Sequence, residues 1–189
     1  MRAIRHGVSS DGKALVIMPS QSFNELSDDD LGAMIAYLKT VPPVDTDRPE
    51  TSLGPLGRVL PLLDKSLIPA SIIDHDAPRP AAPVAGVTAE YGKYLTVVCT
   101  ACHAKDLAGR ALPGEGPDAP LATNLTPAGA LASWTEADFF TALREGVTPD
   151  GRSLDATYMP WPSLGKMHDD EIKAAWLYIK SVPAKESEK

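Results

Sequence analysis

The sequence contains only two cysteines, Cys99 and Cys102, among its 189 residues. So few thiols cannot form a disulfide framework or the four-cysteine cluster of a structural zinc site. The sequence also lacks an uncharged apolar run of about 18 residues, so no membrane-spanning helix is predicted. Its first residues, Met1 to Gly7, lack the apolar core of a signal peptide.

Basic residues are in the minority. The 18 lysines and arginines are outnumbered by 25 aspartates and glutamates, which gives a formal net charge of −7. We therefore expect no nucleic-acid partner and instead a protein partner with a complementary basic surface. The apolar content of 43% is that of a globular protein, and the length allows one ordinary domain and a smaller one.

Both cysteines belong to the motif Cys99-Thr100-Ala101-Cys102-His103. Two thiols at this spacing can form thioethers with the two vinyl groups of one porphyrin, and the adjacent histidine can ligate the iron. A zinc half-site would require a second cysteine pair, which is absent. A thioredoxin-like dithiol would follow a strand, whereas residues 88–98 are predicted to be helical. The motif therefore predicts one covalently bound haem c.

The two ends of the sequence resemble each other. Residues 5–13 correspond to residues 144–152 at an offset of 139, and residues 18–42 correspond to residues 159–183 at an offset of 141. Only the later copy is preceded by the haem motif. We therefore interpret residues 1–44 as the C-terminal half of an incomplete haem domain; the alternative is a divergent appendix that packs on its own.

Residues 45–87 form a proline-rich connector in this interpretation, because prolines recur too often for a long helix. Residues 57–68 are apolar and can pack on a domain or form a docking strip for a partner or membrane. Packing is favoured, since Arg58 and Lys65 alone do not give the basic face of an interfacial helix.

Three helices are predicted in the complete domain, residues 88–185. Thr88 caps the first, which runs to Val98, and the capping-box pattern from Thr135 to Asp138 opens the second, which ends at Glu145. The third extends from Asp169 to Ser181, with an apolar face of helical periodicity. Glycines and prolines make residues 104–134 irregular, and no strand pattern competes, so an all-α fold is predicted.

The second axial ligand of the iron is sought among five residues: Met159, Met167, His168, His75 and His6. Met159 is favoured because it lies in a proline-bounded loop between helices, and because Met18 precedes a proline at the equivalent position of the N-terminal copy. Histidine and methionine together favour electron transfer over oxygen chemistry. The alternative is that Met159 fills the core.

Other contributions to the site are weaker predictions. Asn124, Tyr158 and Trp161 carry donors that can reach haem propionates or order the methionine loop, and Leu125 and Leu154 can line the porphyrin; ordinary loop packing is an equal alternative for each. The ring of His103 requires a carbonyl acceptor, for which the loops at Leu112-Pro113 and Ala119-Pro120 are both candidates.

Five segments in this order carry a family resemblance: Cys99-Thr100-Ala101-Cys102-His103, Thr123-Asn124-Leu125-Thr126-Pro127, Ala142-Leu143-Arg144-Glu145-Gly146, Asp150-Gly151-Arg152 and Met159-Pro160-Trp161. The chain resembles the bacterial class I cytochromes c, and among them the multi-haem cytochrome c subunits of membrane-associated alcohol, aldehyde and gluconate dehydrogenases. The resemblance implies a class I cytochrome c fold over residues 88–185. It further implies haem attachment at Cys99 and Cys102, with His103 and Met159 as axial ligands.

The resemblance also implies a periplasmic electron carrier rather than an enzyme. We expect it to take one electron from a dehydrogenase or quinol-linked donor and to pass it to an oxidase-side or cytochrome acceptor of the respiratory chain, with membrane association only through a partner. A periplasmic location requires that a signal was removed or that the N-terminus is missing. Family members with this tandem layout carry a haem motif in each repeat, whereas this chain has one.

Two alternatives remain open. The first is a haem peroxidase or small-ligand sensor in which Met159 does not bind the iron. The second is a non-redox docking subunit of a dehydrogenase, in which residues 1–44 and the connector matter more than the haem.

Overall fold

The computed structural model describes residues 1–16, 18–47, 52–112 and 119–187. The chain forms two compact units, Met1–Ala82 and Pro83–Lys189. Over the described ranges there is no β-strand, only isolated bridges, so the predicted all-α fold is confirmed. Residues 45–82 belong to the same unit as the N-terminal segment. The functional boundaries at residues 44 and 87 stay predictions.

Four α-helices are present in the described part of the N-terminal unit: α1 (Arg2–His6), α2 (Ser20–Phe23), α3 (Asp28–Leu38) and α4 (Pro55–Leu63). Short 3-10 turns follow at Lys65–Leu67 and Pro69–Ser71. Ser27 caps α3 by accepting a hydrogen bond from the Asp30 N–H, and three aspartates in the first turn suit the positive end of the helix dipole.

Outside residues 113–118 and 188–189, the C-terminal unit has five α-helices: α5 (Ala89–Leu95), α6 (Thr100–His103), α7 (Glu136–Glu145), α8 (Trp161–Leu164) and α9 (Asp169–Ser181). The bounds of α7 and α9 match the sequence prediction. The helix predicted over residues 88–98 is shorter: α5 ends at Leu95, and a 3-10 turn over Thr96–Cys99 leads into α6. The tighter turn ends in a bond from the Thr100 N–H to the carbonyl of Val97.

Two of the predicted caps are present. The Thr88 hydroxyl accepts a hydrogen bond from the Tyr91 N–H, at 3.2 Å. Thr135 accepts from the Asp138 N–H, and the Asp138 carboxylate accepts from the Thr135 N–H at 2.8 Å, which completes a capping box. These local interactions fix where α5 and α7 begin.

The core of the C-terminal unit is formed by the faces predicted from helical periodicity. Buried apolar side chains come from the loops and from α7 and α9: Leu107, Leu131, Phe139, Leu143, Ile172, Ala175, Trp176 and Ile179. The rings of Phe139 and Trp176 pack with centroids 5.4 Å apart, joining α7 to α9. Helix α5 crosses α9 at Gly92, where an added Cβ would lie 1.9 Å from the carbonyl oxygen of Ala174.

The sequence repeat is also a structural repeat. An antiparallel bridge joins Val8 to Ala14 in the N-terminal unit, and another joins Val147 to Ser153 at the same offset of 139 in the C-terminal unit. The helix that precedes each bridge ends in a glycine with left-handed backbone, Gly7 at φ 66° and Gly146 at φ 69°. A side chain at such a position would be strained, which explains the glycine in both copies.

An arginine ties each copy of this turn to the loop before the next long helix. The Arg5 guanidinium donates to the carbonyls of Asn24 and Leu26, at 3.0 and 2.8 Å, and pairs with Asp28 at 2.8 Å. Its counterpart Arg144 donates to the carbonyl of Gly165 and pairs with Asp169 at 2.6 Å. The repeat therefore extends to specific interactions between side chains and backbone.

The copies differ in how their last long helix is covered. On α9, Ala174, Ala175 and Ile179 are 0%, 5% and 1% exposed. On α3, Met34 and Leu38, the counterparts of Ala175 and Ile179, are 37% and 53% exposed. The α3 helix thus presents an apolar face that its equivalent buries.

Helix α4, in the proline-rich connector, also exposes its apolar side chains. Leu56, Val59, Leu62 and Leu63 are between 50% and 80% exposed. The structure therefore does not show the packing that the sequence favoured for residues 57–68.

Candidate functional site

The Cys-x-x-Cys-His motif forms a compact turn. Cys99 ends the 3-10 turn, and the remaining residues of the motif make up α6, which ends where Ala104 adopts a φ of 67°. The two cysteines are not joined by a disulfide, and both are half-buried. The two thiols and the imidazole are therefore presented from one turn of chain, as attachment to a single porphyrin requires.

The ring of His103 is fixed by a backbone carbonyl. Its Nδ1 lies 2.6 Å from the carbonyl oxygen of Thr123, and His103 is 8% exposed. Because a carbonyl only accepts, Nδ1 must carry the proton, and Nε2 is left with a free lone pair. This is the tautomer that ligates iron through Nε2 while its other nitrogen donates to a supporting group.

Burial also keeps this ring neutral. Desolvation lowers the pKa of His103 below its usual value of 6.5, and the hydrogen bond to Thr123 opposes that shift. A neutral imidazole is the form that binds a metal.

The acceptor is neither of the loops considered from sequence. Leu112 and the Ala119-Pro120 pair are described, but the carbonyl that meets His103 belongs to Thr123; Pro113 lies outside the described residues. The identity of the acceptor depends on how the irregular loop folds back on α6. No local pattern encodes it.

His103 opens into a cleft with an empty volume of about 1040 Å³, open solvent at its mouth included. Its walls are largely apolar and come from the irregular loop, α7 and the loop before α8; they include Leu112, Leu121, Leu125, Leu131, Trp134, Phe139, Leu143 and Leu154. A cleft of this size and character suits a large apolar cofactor. Haem fits the residues present, since Cys102 and His103 of the motif both line the cleft.

Met159 lines this cleft together with His103. Its loop is held by hydrogen bonds from the Met159 N–H to the carbonyl of Asp155, at 2.9 Å, and from the Trp161 N–H to the carbonyl of Met159, at 2.7 Å. Met167 and His168 instead line a polar groove beside Arg144, and His6 and His75 belong to the N-terminal unit. Of the five candidate ligands, Met159 is therefore the one in the same cleft as His103.

The other predicted site residues fall into two groups. Leu125 and Tyr158 line the cleft. Cys99 packs against the hydrophobic core beside it. Asn124 and Trp161 are not among the lining residues: Asn124 donates to the carbonyl of Lys185 at 2.7 Å, and Trp161 Nε1 donates to the carbonyl of Leu154 at 3.1 Å.

Trp161 therefore stabilises the methionine loop through its hydrogen bond to Leu154, without lining the cleft. Its indole ring packs against Gly146, where an added Cβ would lie 2.3 Å from Cε2. Asn124 orders the loop that holds His103. The single N–H of the indole is thus engaged by the carbonyl of Leu154, which leaves Trp161 no donor for a haem propionate, and the Asn124 amide is engaged by the carbonyl of Lys185.

The cleft also contains residues that the sequence analysis did not select. Trp134 and Phe139 contribute aromatic walls, and Arg152 supplies a positive charge. Phe139 belongs to the hydrophobic core as well, so the same side chain contacts both the core and the cleft.

The chemistry of Cys99 argues against a dithiol redox site. Burial, followed by the nearby Cys102, raises the pKa of the Cys99 thiol to about 11. A thiol that attacks disulfides requires a lowered pKa, since the thiolate is the nucleophile.

A zinc site is not supported either, because the described residues include no group of three or more histidines, cysteines or carboxylates placed to bind a metal.

Among the described residues, no helix combines the length and the apolar character required to cross a membrane. No protein-family model matches the chain.

Comparison with known proteins finds relatives along nearly the whole chain. The chain is 31% identical over 198 residues to the fructose dehydrogenase cytochrome subunit of Gluconobacter japonicus, an alignment that covers 97% of this chain and 40% of that protein. It is 30% identical over 209 residues to the gluconate 2-dehydrogenase cytochrome c subunit of Pantoea cypripedii, with 98% and 47% covered.

A third relative is the cytochrome c subunit of the quinone-dependent alcohol dehydrogenase of Komagataeibacter europaeus, at 30% identity over 207 residues, 96% of this chain and 43% of that protein. The chain thus spans less than half the length of these curated relatives. The resemblance drawn from the motifs is confirmed: over nearly its whole length, the chain is homologous to the cytochrome c subunits of bacterial fructose, gluconate and alcohol dehydrogenases.

Proposed function

We propose that this protein is a one-electron carrier that holds one haem c in the cleft of its C-terminal unit. The observation that carries the proposal is that His103 and Met159 line the same cleft, next to the two thiols of the attachment motif. A haem c bound there supplies reversible one-electron chemistry at its iron.

The residues of the chain have separate tasks in this proposal. Cys99 and Cys102 attach the porphyrin, and His103 binds the iron through Nε2 while Nδ1 donates to Thr123. Met159 binds from a loop that Trp161 holds in place. The apolar walls exclude water, and burial of the metal site together with a thioether ligand favours the reduced state.

The carrier role is favoured over the open-iron alternative by the position of Met159 in the cleft. A methionine that binds the iron closes it to peroxide and other small ligands. The docking alternative is favoured by a different observation, the open apolar faces of α3 and α4. Docking through these faces does not require a non-redox role, because they belong to the N-terminal unit and the cleft belongs to the C-terminal unit.

The partners and the location follow from the relatives and from charge. We propose a dehydrogenase of the fructose, gluconate or alcohol type as the electron donor and a cytochrome or oxidase-side acceptor, on the periplasmic side of the membrane, with membrane association through a partner. The net charge of −7 favours a partner with a basic docking surface.

We further propose that residues 1–44 are the second half of another cytochrome c-like domain, that residues 45–87 connect it to the haem domain, and that residues 88–185 form the haem domain. The matching bridges, glycines and arginines of the two copies support this. The open face of α3 also supports it: Tyr37 is 70% exposed, whereas its counterpart on α9, Tyr178, lies next to Gly92 of α5.

The experiment is to express the chain with a c-type haem attachment system and to measure haem content, the reductive titration and the response to carbon monoxide. We expect one covalent haem, a one-electron titration and no carbon monoxide binding by the reduced protein. The Cys99→Ala/Cys102→Ala variant serves as the control and should retain no covalent haem. Ready binding of carbon monoxide by the wild type would refute the carrier role.

A further inference from the structure

The chain beyond α9 turns back on the loop that supports His103. We refer to residues 182–187 as the C-terminal segment. The backbone carbonyl of Lys185 accepts hydrogen bonds from Asn124 Nδ2, at 2.7 Å, and from Thr126 Oγ1, at 3.0 Å. The Lys185 N–H donates back to Thr126 Oγ1, at 3.2 Å. One residue of the C-terminal segment thus engages two side chains of the loop through its backbone.

Both loop side chains are buried. Asn124 is 8% exposed and Thr126 is 0% exposed. A buried amide or hydroxyl that loses its hydrogen-bond partner destabilises the folded state, so the loss of Lys185 should loosen the loop. Asn124 also accepts from the Thr126 N–H through Oδ1, at 2.8 Å, which makes the two residues one polar unit.

This polar unit sits directly after Thr123, whose carbonyl accepts from His103 Nδ1 at 2.6 Å. On the other side, the Leu125 N–H donates to the carbonyl of Leu107, at 2.8 Å. The loop is therefore held between the chain that follows α6 and the C-terminal segment. If the loop loses its hydrogen bonds to either of these two segments, the carbonyl of Thr123 can rotate away from the ring of His103.

We propose that the C-terminal segment, through the backbone of Lys185, positions the iron-binding ring of His103. The inference rests on the proposed haem function and extends it to residues that touch neither the porphyrin nor the iron. Asn124 and Thr126 are positioning residues in this account, since they act on His103 through the carbonyl of Thr123. This assigns a function to Asn124, whose amide is turned away from the cleft.

The side chain of Lys185 contributes little to this effect. Its ammonium pairs with Asp106, but the two side chains are 49% and 38% exposed. Exposed pairs of this kind contribute little to stability and weaken further in salt. The positioning effect should therefore survive Lys185→Ala, which keeps the backbone, and be lost when the chain ends before Lys185.

The test compares two shortened chains in haem-loaded form, one ending at Pro183 and a control ending at Glu186. The readout is the solvent exchange of the His103 Nδ1–H, followed by NMR. We expect exchange about tenfold faster in the shorter chain, the factor that corresponds to the contribution of one hydrogen bond. The control and Lys185→Ala should exchange at the wild-type rate.

The reduction potential of the haem is the second readout. A general loosening of the fold does not determine whether this potential rises or falls, whereas the positioning role does. A weaker hydrogen bond to Thr123 makes His103 a less basic ligand, which disfavours the oxidised iron and raises the potential. Thr126→Val, which is isosteric, should raise it in the same way without shortening the chain. An unchanged or lowered potential in both variants, with unchanged Nδ1–H exchange, would overturn the proposal.

Amide exchange at Leu125 and Thr126 separates this inference from the proposed function. Those amides report on the loop whether or not haem is attached, and we expect faster exchange in the chain ending at Pro183 than in the control. If the wild type attached no haem, the proposed function would fail and the exchange comparison would still decide whether the C-terminal segment holds the loop. Equal amide exchange in the two shortened chains would contradict the inference.

Discussion

Gly92 and Ala174 are in contact at the point where α5 crosses α9, and a Cβ on residue 92 would lie 1.9 Å from the carbonyl oxygen of Ala174. The backbone of α9 cannot shift to make room for a Cβ at residue 92, because the opposite face of α9 packs in the hydrophobic core. The contact explains why a residue with poor helix propensity lies within α5. It also places the haem motif, because α5 leads directly into it.

Gly92→Ala should therefore destabilise the C-terminal unit by about 1–3 kcal/mol, the usual cost of overpacking. Thermal or urea unfolding followed by tryptophan fluorescence measures this, since all three tryptophans lie in that unit. Gly32→Ala in α3 is the matched control, because no atom lies within 4 Å of the added Cβ. That change should stabilise α3 by about 0.5–1 kcal/mol, measured by hydrogen exchange of the α3 amides because no tryptophan lies in that unit. A neutral Gly92→Ala would show that the helices do not cross here.

Arg5→Met should destabilise the N-terminal unit by about 1–3 kcal/mol, because it leaves the carbonyls of Asn24 and Leu26 without the donor that satisfies them. Arg5→Lys should not restore the loss, since one ammonium lacks the planar fork that reaches several acceptors. Hydrogen exchange of the α1 and α3 amides is the measurement. Arg2→Met, at an exposed arginine, serves as the control; equal effects at both positions would argue against a structural role for Arg5.

The N-terminal unit should lose stability as the pH falls below 6.5. Burial, followed by His75, Arg79 and Arg5, lowers the pKa of His6 from its usual value of 6.5, and His6 Nδ1 lies 3.0 Å from His75 Nδ1. Below pH 6.5, His6 therefore binds a proton more readily in the unfolded chain than in the folded unit. Lowering the pH thus shifts the equilibrium toward unfolding. Asp28 counters the cations only in part, because it is already paired with Arg5.

Hydrogen exchange of α1 as a function of pH tests this prediction. His6→Gln should flatten the dependence near pH 6.5. His168→Gln should leave it unchanged, because His168 belongs to the other unit. A dependence that persists in His6→Gln would assign the effect to a different group.

The sequence predicted those features whose determinants are local. The capping residues Thr88 and Thr135 and the spacing of apolar residues along α9 determine helix ends and buried faces over a few residues. The repeat pointed to Met159, and the structure places it in the cleft with His103. The fold class could be predicted for the same reason, since helical periodicity is a short-range signal.

The remaining features depend on contacts between distant parts of the chain. The acceptor for His103 is Thr123, twenty positions away, and the partner of Asn124 is Lys185, at a separation of 61. No spacing rule links such residues, because the loop between α6 and α7 has no regular period. The end of α5 at Leu95 was not predicted either, since the 3-10 turn over Thr96–Cys99 continues the helical path of the chain into α6.

The most direct test of the account is the absorption spectrum of the oxidised, haem-loaded protein in the region of the weak long-wavelength band of a sulfur–iron bond. We predict that the wild type shows this band, that Met159→Ala loses it and then binds carbon monoxide when reduced, and that Met167→Ala retains it because Met167 lines a different groove. Retention of the band in Met159→Ala would contradict the assignment of Met159 as the iron ligand.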